Sequence, residues 1–486
     1  LNAMVNRLAM STTTMALNEE GNPYSPRKQG AGLASIIDAI NTQGYITVKD
    51  ENGNVSNKTK IELGDDDERT GRYTLNFTVH NLASDKALVY KPNVYVMTET
   101  LATDLKTVAE KAYMLNDSII TILANGQTVA KDGTLTVPAG QTLDVSITIE
   151  LGQEGKQYIE ESFKNGMYIE GFVRLQPMDA DGVEIGLPYL GFYGDWADAP
   201  LFDYSVFDLA ETDADPSIEE EDKPKASAAA STPLGLYDDD QYIIPLGTYL
   251  YTMADDETEI YPSTEKAAIS MFDMEGRRTV YEMYMVYAGL LRGAKTLNVE
   301  VKNKLTGELI YQQEEHNIRK SYAAGGSNVG APVMLEISPD EWDLYNNTTY
   351  VVTMQGDLDC EGGENPNNDT FSFEFTVDTE SPVIRDYRIR FEPYTENKEV
   401  KYRIYMDVDV YDNQYTMSVM PCYIKEVKGE RQLTLLSEYP IPTYSQKGTE
   451  KTVSFEITDY YEKYVQTGEM YLSVEDYAMN QTIYQV

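Results

Sequence analysis

Apolar and polar residues alternate in many short segments of this chain, and this period of two constrains its fold most strongly. Every second residue is apolar in residues 73–79, and residues 143–149 repeat the pattern. Successive side chains of a β-strand point to opposite faces, so the alternation predicts half-buried antiparallel strands. Residues that favour turns, such as Asn125 and Gly126, stand between these segments. The sequence therefore predicts a mainly β fold built from β-sandwiches.

The same alternation returns later in the chain, in residues 297–301, 371–377, 400–410 and 453–457. These segments predict two further sandwiches, which show no fixed short repeat. Residues 211–233 are acidic and rich in proline, alanine and serine, which predicts an exposed and mobile connector.

The first forty residues differ from the rest, because their apolar residues follow helical spacing. Residues 1–11 and 33–40 predict two short helices on either side of a turn that is rich in proline and glycine. A segment of this length cannot bury a core of its own. We expect it to expose Met4, Leu8, Ile36 and Ile37 where nothing covers them.

Charge and composition exclude several classes of function. The chain of 486 residues has 39 Lys and Arg against 80 Asp and Glu, a net charge of −41. A chain with this negative charge is repelled by nucleic acid and by anionic lipid, so the sequence predicts binding to neither. The sequence contains no run of 18 apolar residues, so it predicts no membrane-spanning helix. Two cysteines, Cys360 and Cys422, leave both a disulfide and free thiols open.

Catalytic motifs are missing from the sequence. His80 and His316 are its two histidines, and neither stands near a serine flanked by glycines. The sequence contains no GxSxG, GxGxxG, HExxH or phosphate-loop pattern. We therefore expect no catalytic residue and no organic cofactor site in this chain.

Two groups of motifs resemble a known family. Residues 10–13 (MSTT) and 24–32 (YSPRKQGAG) resemble the end of the catalytic domain of subtilisin-like serine proteases, the subtilases, with Thr13 in place of the usual alanine. Residues 164–173 and 188–196 (PYLGFYGDW) resemble the first fibronectin-III-like domain of the cell-envelope proteinase branch of subtilases, which includes C5a peptidases and lactocepins. These motifs cover residues 1–205, and later segments are more loosely similar.

The resemblance implies an extracellular endopeptidase, at the bacterial cell surface or secreted, that cleaves peptide bonds with an Asp/His/Ser triad. All three triad motifs normally precede Met10, so this chain alone should be inactive. Its partners would be the preceding protease domain and a protein or peptide substrate. The implied organisation is the end of a catalytic domain (1–41), a fibronectin-III-like sandwich (42–208), a linker (209–236), a second sandwich (237–378) and a third, Ig- or fibronectin-III-like sandwich (379–486).

Two functions remain open from the sequence. The first is that these are accessory domains of such a protease, which shape its cleft, bind substrate at exosites or act as spacers. The second is a non-enzymatic surface adhesin built from Ig-like domains. Residues 24–32 favour the first, because an adhesin has no reason to contain the closing segment of a protease.

Two candidate sites follow. The resemblance implies a contact with the protease domain, for which the candidates are Tyr189, Phe192, Tyr193, Asp195 and Trp196. A buried strand and turn is the alternative interpretation of this aromatic cluster.

The second candidate site is one for Ca²⁺, which binds carboxylate oxygens in loops between domains. In the last sandwich, Asp378 stands at the entry, Asp412 at the end of a strand and Asp476 near the exit, where the three could meet at one pole. Residues 64–68 (GDDDE) form another acidic loop. Solvated turn carboxylates are the alternative interpretation.

Overall fold

The structure is a computed structural model, and strands predominate in it, which confirms the predicted mainly β fold class. It falls into two compact units, Leu1–Ala199 and Pro200–Val486. Among the described residues, no helix has the length and apolar character that crossing a membrane requires. The structure describes residues 2–50, 52–103, 108–219, 223, 235–238, 243–252, 258–270, 281–321, 333–337, 342–358, 369–427, 430–437 and 440–486.

The first unit begins with the two predicted short helices and continues as a sandwich. Its helices are α1 (Asn2–Ser11), α2 (Pro26–Gln29), α3 (Ile36–Asn41) and α4 (Gln153–Ser162). Its strands are β1 (Gly44–Thr47), β2 (Ile61–Asp66), β3 (Arg72–Asn81), β4 (Leu88–Leu101), β5 (Val108–Met114), β6 (Ile119–Ala124), β7 (Gln127–Thr128), β8 (Leu135–Val137), β9 (Thr142–Glu150), β10 (Met167–Pro177) and β11 (Ile185–Tyr193).

Two sheets form this sandwich. One has the strand order β1-β3-β9-β6-β7, and the other has the order β2-β11-β10-β4-β5 with β8 paired to β4. Their apolar faces meet in one core, as the alternation predicts, with Leu75 and its partner Ile147 fully buried. The β6–β7 hairpin turns at Asn125 and Gly126, which both have positive φ, the conformation that short hairpins need.

The second unit contains several sheets. Its elements are α5 (Val206–Ala214), β12 (Gly235–Asp238), β13 (Ile243–Pro245), β14 (Thr248–Thr252), β15 (Thr258–Pro262), a 3₁₀ turn (Thr264–Lys266), β16 (Ala268–Ile269), β17 (Tyr281–Ala288), β18 (Ala294–Asn303), β19 (Leu309–Ile318), β20 (Val333–Ile337), β21 (Thr348–Leu358), β22 (Thr370–Val377), β23 (Val383–Glu396), β24 (Glu399–Tyr411), β25 (Thr416–Val427), β26 (Glu430–Leu435), β27 (Ile441–Pro442), β28 (Lys451–Glu456), a π-helical turn (Tyr461–Val465), β29 (Met470–Asp476) and β30 (Gln481–Gln485).

Three of these sheets matter for the site. The first has the order β16-β22-β21-β18-β19, the second β23-β24-β28 and the third β26-β25-β29-β30, with β27 on β25. The second and third enclose a core around Met406, Val408 and Leu472. β22, β24 and β29 end at Val377, Tyr411 and Asp476.

The predicted connector begins within a helix. α5 includes residues 211–214, and its start is fixed by a capping box in which Ser205 and Asp208 satisfy each other's backbone N–H groups. Most of the rest of the connector lies outside the described residues. So does Cys360. Cys422 is buried and forms no disulfide with a described residue, which leaves both alternatives open for this pair.

Candidate functional site

Residues 24–32 form a tight loop that begins with the short helix α2. Ser25 caps this helix by accepting a hydrogen bond from Arg27 N, and Pro26 occupies its first turn. The side chain of Gln29 closes the loop, since it accepts from Ala16 N at 2.7 Å and donates to Tyr24 O at 2.6 Å. These contacts hold Arg27 in one position.

Arg27 lies against the sandwich and joins the two groups of sequence motifs. Its guanidinium donates to Glu170 Oε2 at 3.0 Å and forms a second ion pair with Glu99. The side chain of Glu170 is fully buried and that of Glu99 is 5% exposed. The guanidinium also lies 3.9 Å from the centre of the Tyr168 ring, a cation–π contact.

The electrostatics of this contact follow from burial. Burial alone would lower the pKa of Arg27, but its hydrogen bonds and charge contacts with Glu170 and Glu99 raise that pKa above its usual value. Two buried carboxylates need this cation, because an unpaired charge in a low-dielectric interior is costly.

A second arginine holds the end of α1. Arg174 is buried on β10, and its Nη2 donates to the carbonyl oxygen of Thr13 at 2.6 Å while its Nε donates to Glu184. Ser11 Oγ accepts a hydrogen bond from Ile46 N at 3.1 Å. Both halves of the N-terminal motif, residues 10–13 and 24–32, are therefore bound to the sandwich by specific polar contacts.

The aromatic candidates lie on β11 and in the turn after it. Tyr189 and Tyr193 are buried, and their hydroxyls donate to Tyr95 O and to Glu160, each at 2.7 Å. Burial raises the pKa of both hydroxyls. These two side chains therefore belong to the interior of the sandwich.

Phe192 is buried as well, whereas Asp195 and Trp196 are half-buried. Phe192 packs edge-on against Trp196 at 5.2 Å, and Trp196 in turn contacts Tyr168, the ring that carries Arg27. Asp195 accepts a hydrogen bond from Ala197 N and so braces the turn. The aromatic cluster is thus continuous with the arginine contact. Whether it touches a protease domain stays a prediction.

None of the three charged residues of this contact is among the site residues predicted from the sequence. Arg27 and Glu170 both stand within the motifs, but 143 positions separate them. Glu99 is an acid at an inward position of a strand. An acidic residue in an otherwise buried strand is the signal that could have indicated a charged partner.

The helix α3 presents an apolar surface. Ile36, Ile37 and Ile40 are 77%, 71% and 76% exposed, which confirms the expectation for the first two. Met4 and Leu8 are half-buried instead, because α1 packs against β1 and β11. We call Ile36, Ile37 and Ile40 the α3 surface.

The predicted acidic residues occupy a separate place in the second unit. Asp378, Asp412 and Asp476 each offer an oxygen, and these oxygens lie within 4.8 Å of one another. All three residues are buried. The other predicted acidic loop, 64–68, is instead the end of β2 and the turn after it. Asp66 accepts hydrogen bonds from Thr70 and Gly71, so its oxygens brace that turn.

Part of this chain is similar in sequence to known proteins. Residues 61–190 match a family model described as an Fn3-like domain. A C5a peptidase of Streptococcus pyogenes serotype M1 is 29% identical over 207 residues, 42% of this chain and 15% of that protein. A PI-type proteinase of Lactococcus lactis subsp. cremoris is 30% identical over 181 residues, 37% of this chain and 8% of that protein. The match thus spans a small part of these relatives.

The similarity of this chain to solved structures is weak. A structure of a 1.5-MDa bacterial ice-binding adhesin covers 87% of this chain and 90% of its own, at 11% identity and a TM-score of 0.21. The sequence relatives do confirm the resemblance: over about 40% of its length, this chain is homologous to C5a peptidases and to PI- and PII-type proteinases, and its residues 61–190 match an Fn3-like domain.

Proposed function

We propose that this chain is an accessory portion of an extracellular subtilisin-like serine endopeptidase, in which the Fn3-like sandwich braces the end of the catalytic domain. The observation that carries the proposal is the contact of Arg27 with Glu99 and Glu170. This contact joins the segment that resembles a protease to the segment that resembles the accessory domain.

The energetics of the contact support a fixed arrangement. Removal of one partner from a buried ion pair leaves an uncompensated charge, which costs about 3–5 kcal/mol. The sandwich, with its two buried acids, therefore depends on the N-terminal segment for its own stability. A sandwich that acted as an independent adhesive domain would not need such a partner.

The α3 surface supports the proposed partner. Three neighbouring isoleucines on a six-residue helix are exposed, although burial of each would contribute about 1.5–3 kcal/mol. In the family, this helix closes the catalytic domain. We propose that the preceding part of the protease domain covers the α3 surface, and that the sandwiches of the second unit act as exosites or spacers.

The α3 surface gives a direct test in the product of the complete gene. The triple variant Ile36→Gln, Ile37→Gln, Ile40→Gln should weaken packing of the catalytic domain and lower its labelling by a serine-directed fluorophosphonate about tenfold, since even 1.4 kcal/mol changes a population tenfold. Labelling per folded molecule is measured on a gel against a dye for total protein.

The matched control is Leu305→Gln, because Leu305 is 94% exposed on a turn of the second unit. This variant should be labelled like the wild type. If the complete product is not labelled at all, it is no serine protease. Equal labelling of the triple variant and the control would contradict the proposed packing.

A further inference from the structure

Three strand ends bring buried carboxylates together in the second unit. Asp378 directly follows β22, Asp412 directly follows β24, and Asp476 ends β29. Each of the three is at most 2% exposed, and one oxygen of each lies within 4.8 Å of the others. The three residues thus come from three different sheets.

Polar neighbours hold these carboxylates in place from one side. Asp476 accepts from both the backbone and the side-chain N–H groups of Asn480, each at 2.8 Å. Asp378 Oδ1 accepts from Asn413 Nδ2 at 3.1 Å, and Asp412 Oδ1 accepts from Gln414 N at 2.7 Å. These donors are neutral groups, so they orient the carboxylates without balancing their charge.

One carboxylate oxygen receives no N–H or hydroxyl hydrogen bond from the described residues. This oxygen is Asp412 Oδ2, which is buried. The side chain of Asp378 is within reach of Asp412, but two carboxyl groups can bond to each other only by sharing a proton. Among the same residues, no ion pair joins any of the three acids to a lysine or arginine. Lys266 is nearby, but its Nζ contacts the hydroxyl of Tyr477 at 3.3 Å. A buried oxygen that lacks a donor beside two further carboxylates is the arrangement that a cation would satisfy.

The charges of the three buried acids also favour a bound cation. Burial raises the pKa of Asp378 and Asp476, and it raises the pKa of Asp412 to about 7, where the nearby carboxylate of Asp378 adds to the rise. Three buried acids at this spacing cannot all ionise without a counter-charge. Hard oxygen ligands of this kind suit Ca²⁺, which takes six to eight oxygens in flexible geometry.

We propose that Asp378, Asp412 and Asp476 bind one Ca²⁺ ion that ties the ends of β22, β24 and β29 together. Nearby contacts show what the ion would stiffen. Asn413 and Gln414 both donate to Asn347 beside β21, and Ser270 donates to Asn480. The ion would therefore fix the sheet that contains β22 to the sheets of the last sandwich. This proposal is independent of the proposed protease function.

Calorimetry of the whole chain tests the site. After dialysis against EDTA, 2 mM CaCl₂ should raise the melting temperature of one transition by about 5–10 °C, whereas MgCl₂ should raise it much less. The variant Asp412→Asn keeps the shape of the side chain but removes one ligand charge. The melting temperature of this variant should not respond to Ca²⁺. Without Ca²⁺, the variant should melt at or above the melting temperature of the wild type, because it removes repulsion between the buried carboxylates.

The control variant is Asp459→Asn, an exposed acid of the same unit, which should retain the full shift. An unchanged melting curve of the wild type with Ca²⁺ would overturn the proposal. A full shift in Asp412→Asn would place any bound ion elsewhere, and an equal shift with Mg²⁺ would overturn the assignment to Ca²⁺.

Discussion

Arg27→Ala should lower the free energy of unfolding of the first unit by about 3–5 kcal/mol. The variant leaves Glu170 and Glu99 as buried charges without a cation, and it also removes the contact with the Tyr168 ring. Urea unfolding followed by tryptophan fluorescence measures the loss. Trp196 and Trp342 are the only tryptophans, so a Trp342→Phe background restricts the signal to the first unit.

The matched control for this prediction is Arg72→Ala. Arg72 pairs with Glu150 at the surface, where both side chains are substantially exposed, so its loss should cost less than about 1 kcal/mol. Adding Glu99→Gln and Glu170→Gln to Arg27→Ala should recover part of the stability, because no uncompensated charge remains. Equal losses in Arg27→Ala and Arg72→Ala would show that the buried contact does not form.

Gly171→Ala should destabilise the same unit by about 3–4 kcal/mol, from overpacking and one lost hydrogen bond. A Cβ at this position would lie 1.8 Å from Tyr95 O and 2.7 Å from the hydroxyl of Tyr189. Gly171 stands on β10 between β4 and β11, so the chain cannot move away without breaking strand pairing. The same fluorescence experiment measures the loss.

Gly191→Ala is the control, since Gly191 lies on the neighbouring strand β11. Its Cβ would lie 3.1 Å from Leu63 Cβ, and β2, an edge strand whose register with β11 is irregular at this point, can shift by the few tenths of an ångström required. We expect a loss below about 1 kcal/mol. A Gly171→Ala variant as stable as this control would mean that β10 does not pack centrally between β4 and β11.

The core strands could be predicted because the alternation of apolar and polar residues indicates which side chains of a strand are buried. Leu75, Phe77 and Val79 are all buried, as their spacing indicates. Alternation does not show how much of a strand the opposite sheet covers. β23 and β24 form a long hairpin, and Val400 near its tip is 65% exposed. Only the packing of the whole sandwich decides where coverage of such a hairpin stops.

The two sites differ in how far the sequence predicts them. Asp412 and Asp476 end strands of the last sandwich, so local pattern was sufficient to place these two at one pole. Asp378 follows β22, which belongs to a different sheet, and its approach to the other two depends on how that sheet packs against the last sandwich. The partners of Arg27 could not be found in this way. They lie 72 and 143 positions away, and their closeness depends on how the N-terminal segment packs against β4 and β10.

The coding sequence upstream of Leu1 tests whether this chain is part of a serine protease, as we propose. We expect one open reading frame that encodes the Asp, His and Ser motif segments of a subtilase before residues 10–13. A start codon and signal peptide immediately upstream of Leu1 would contradict the proposal, because no catalytic triad would then exist in the product.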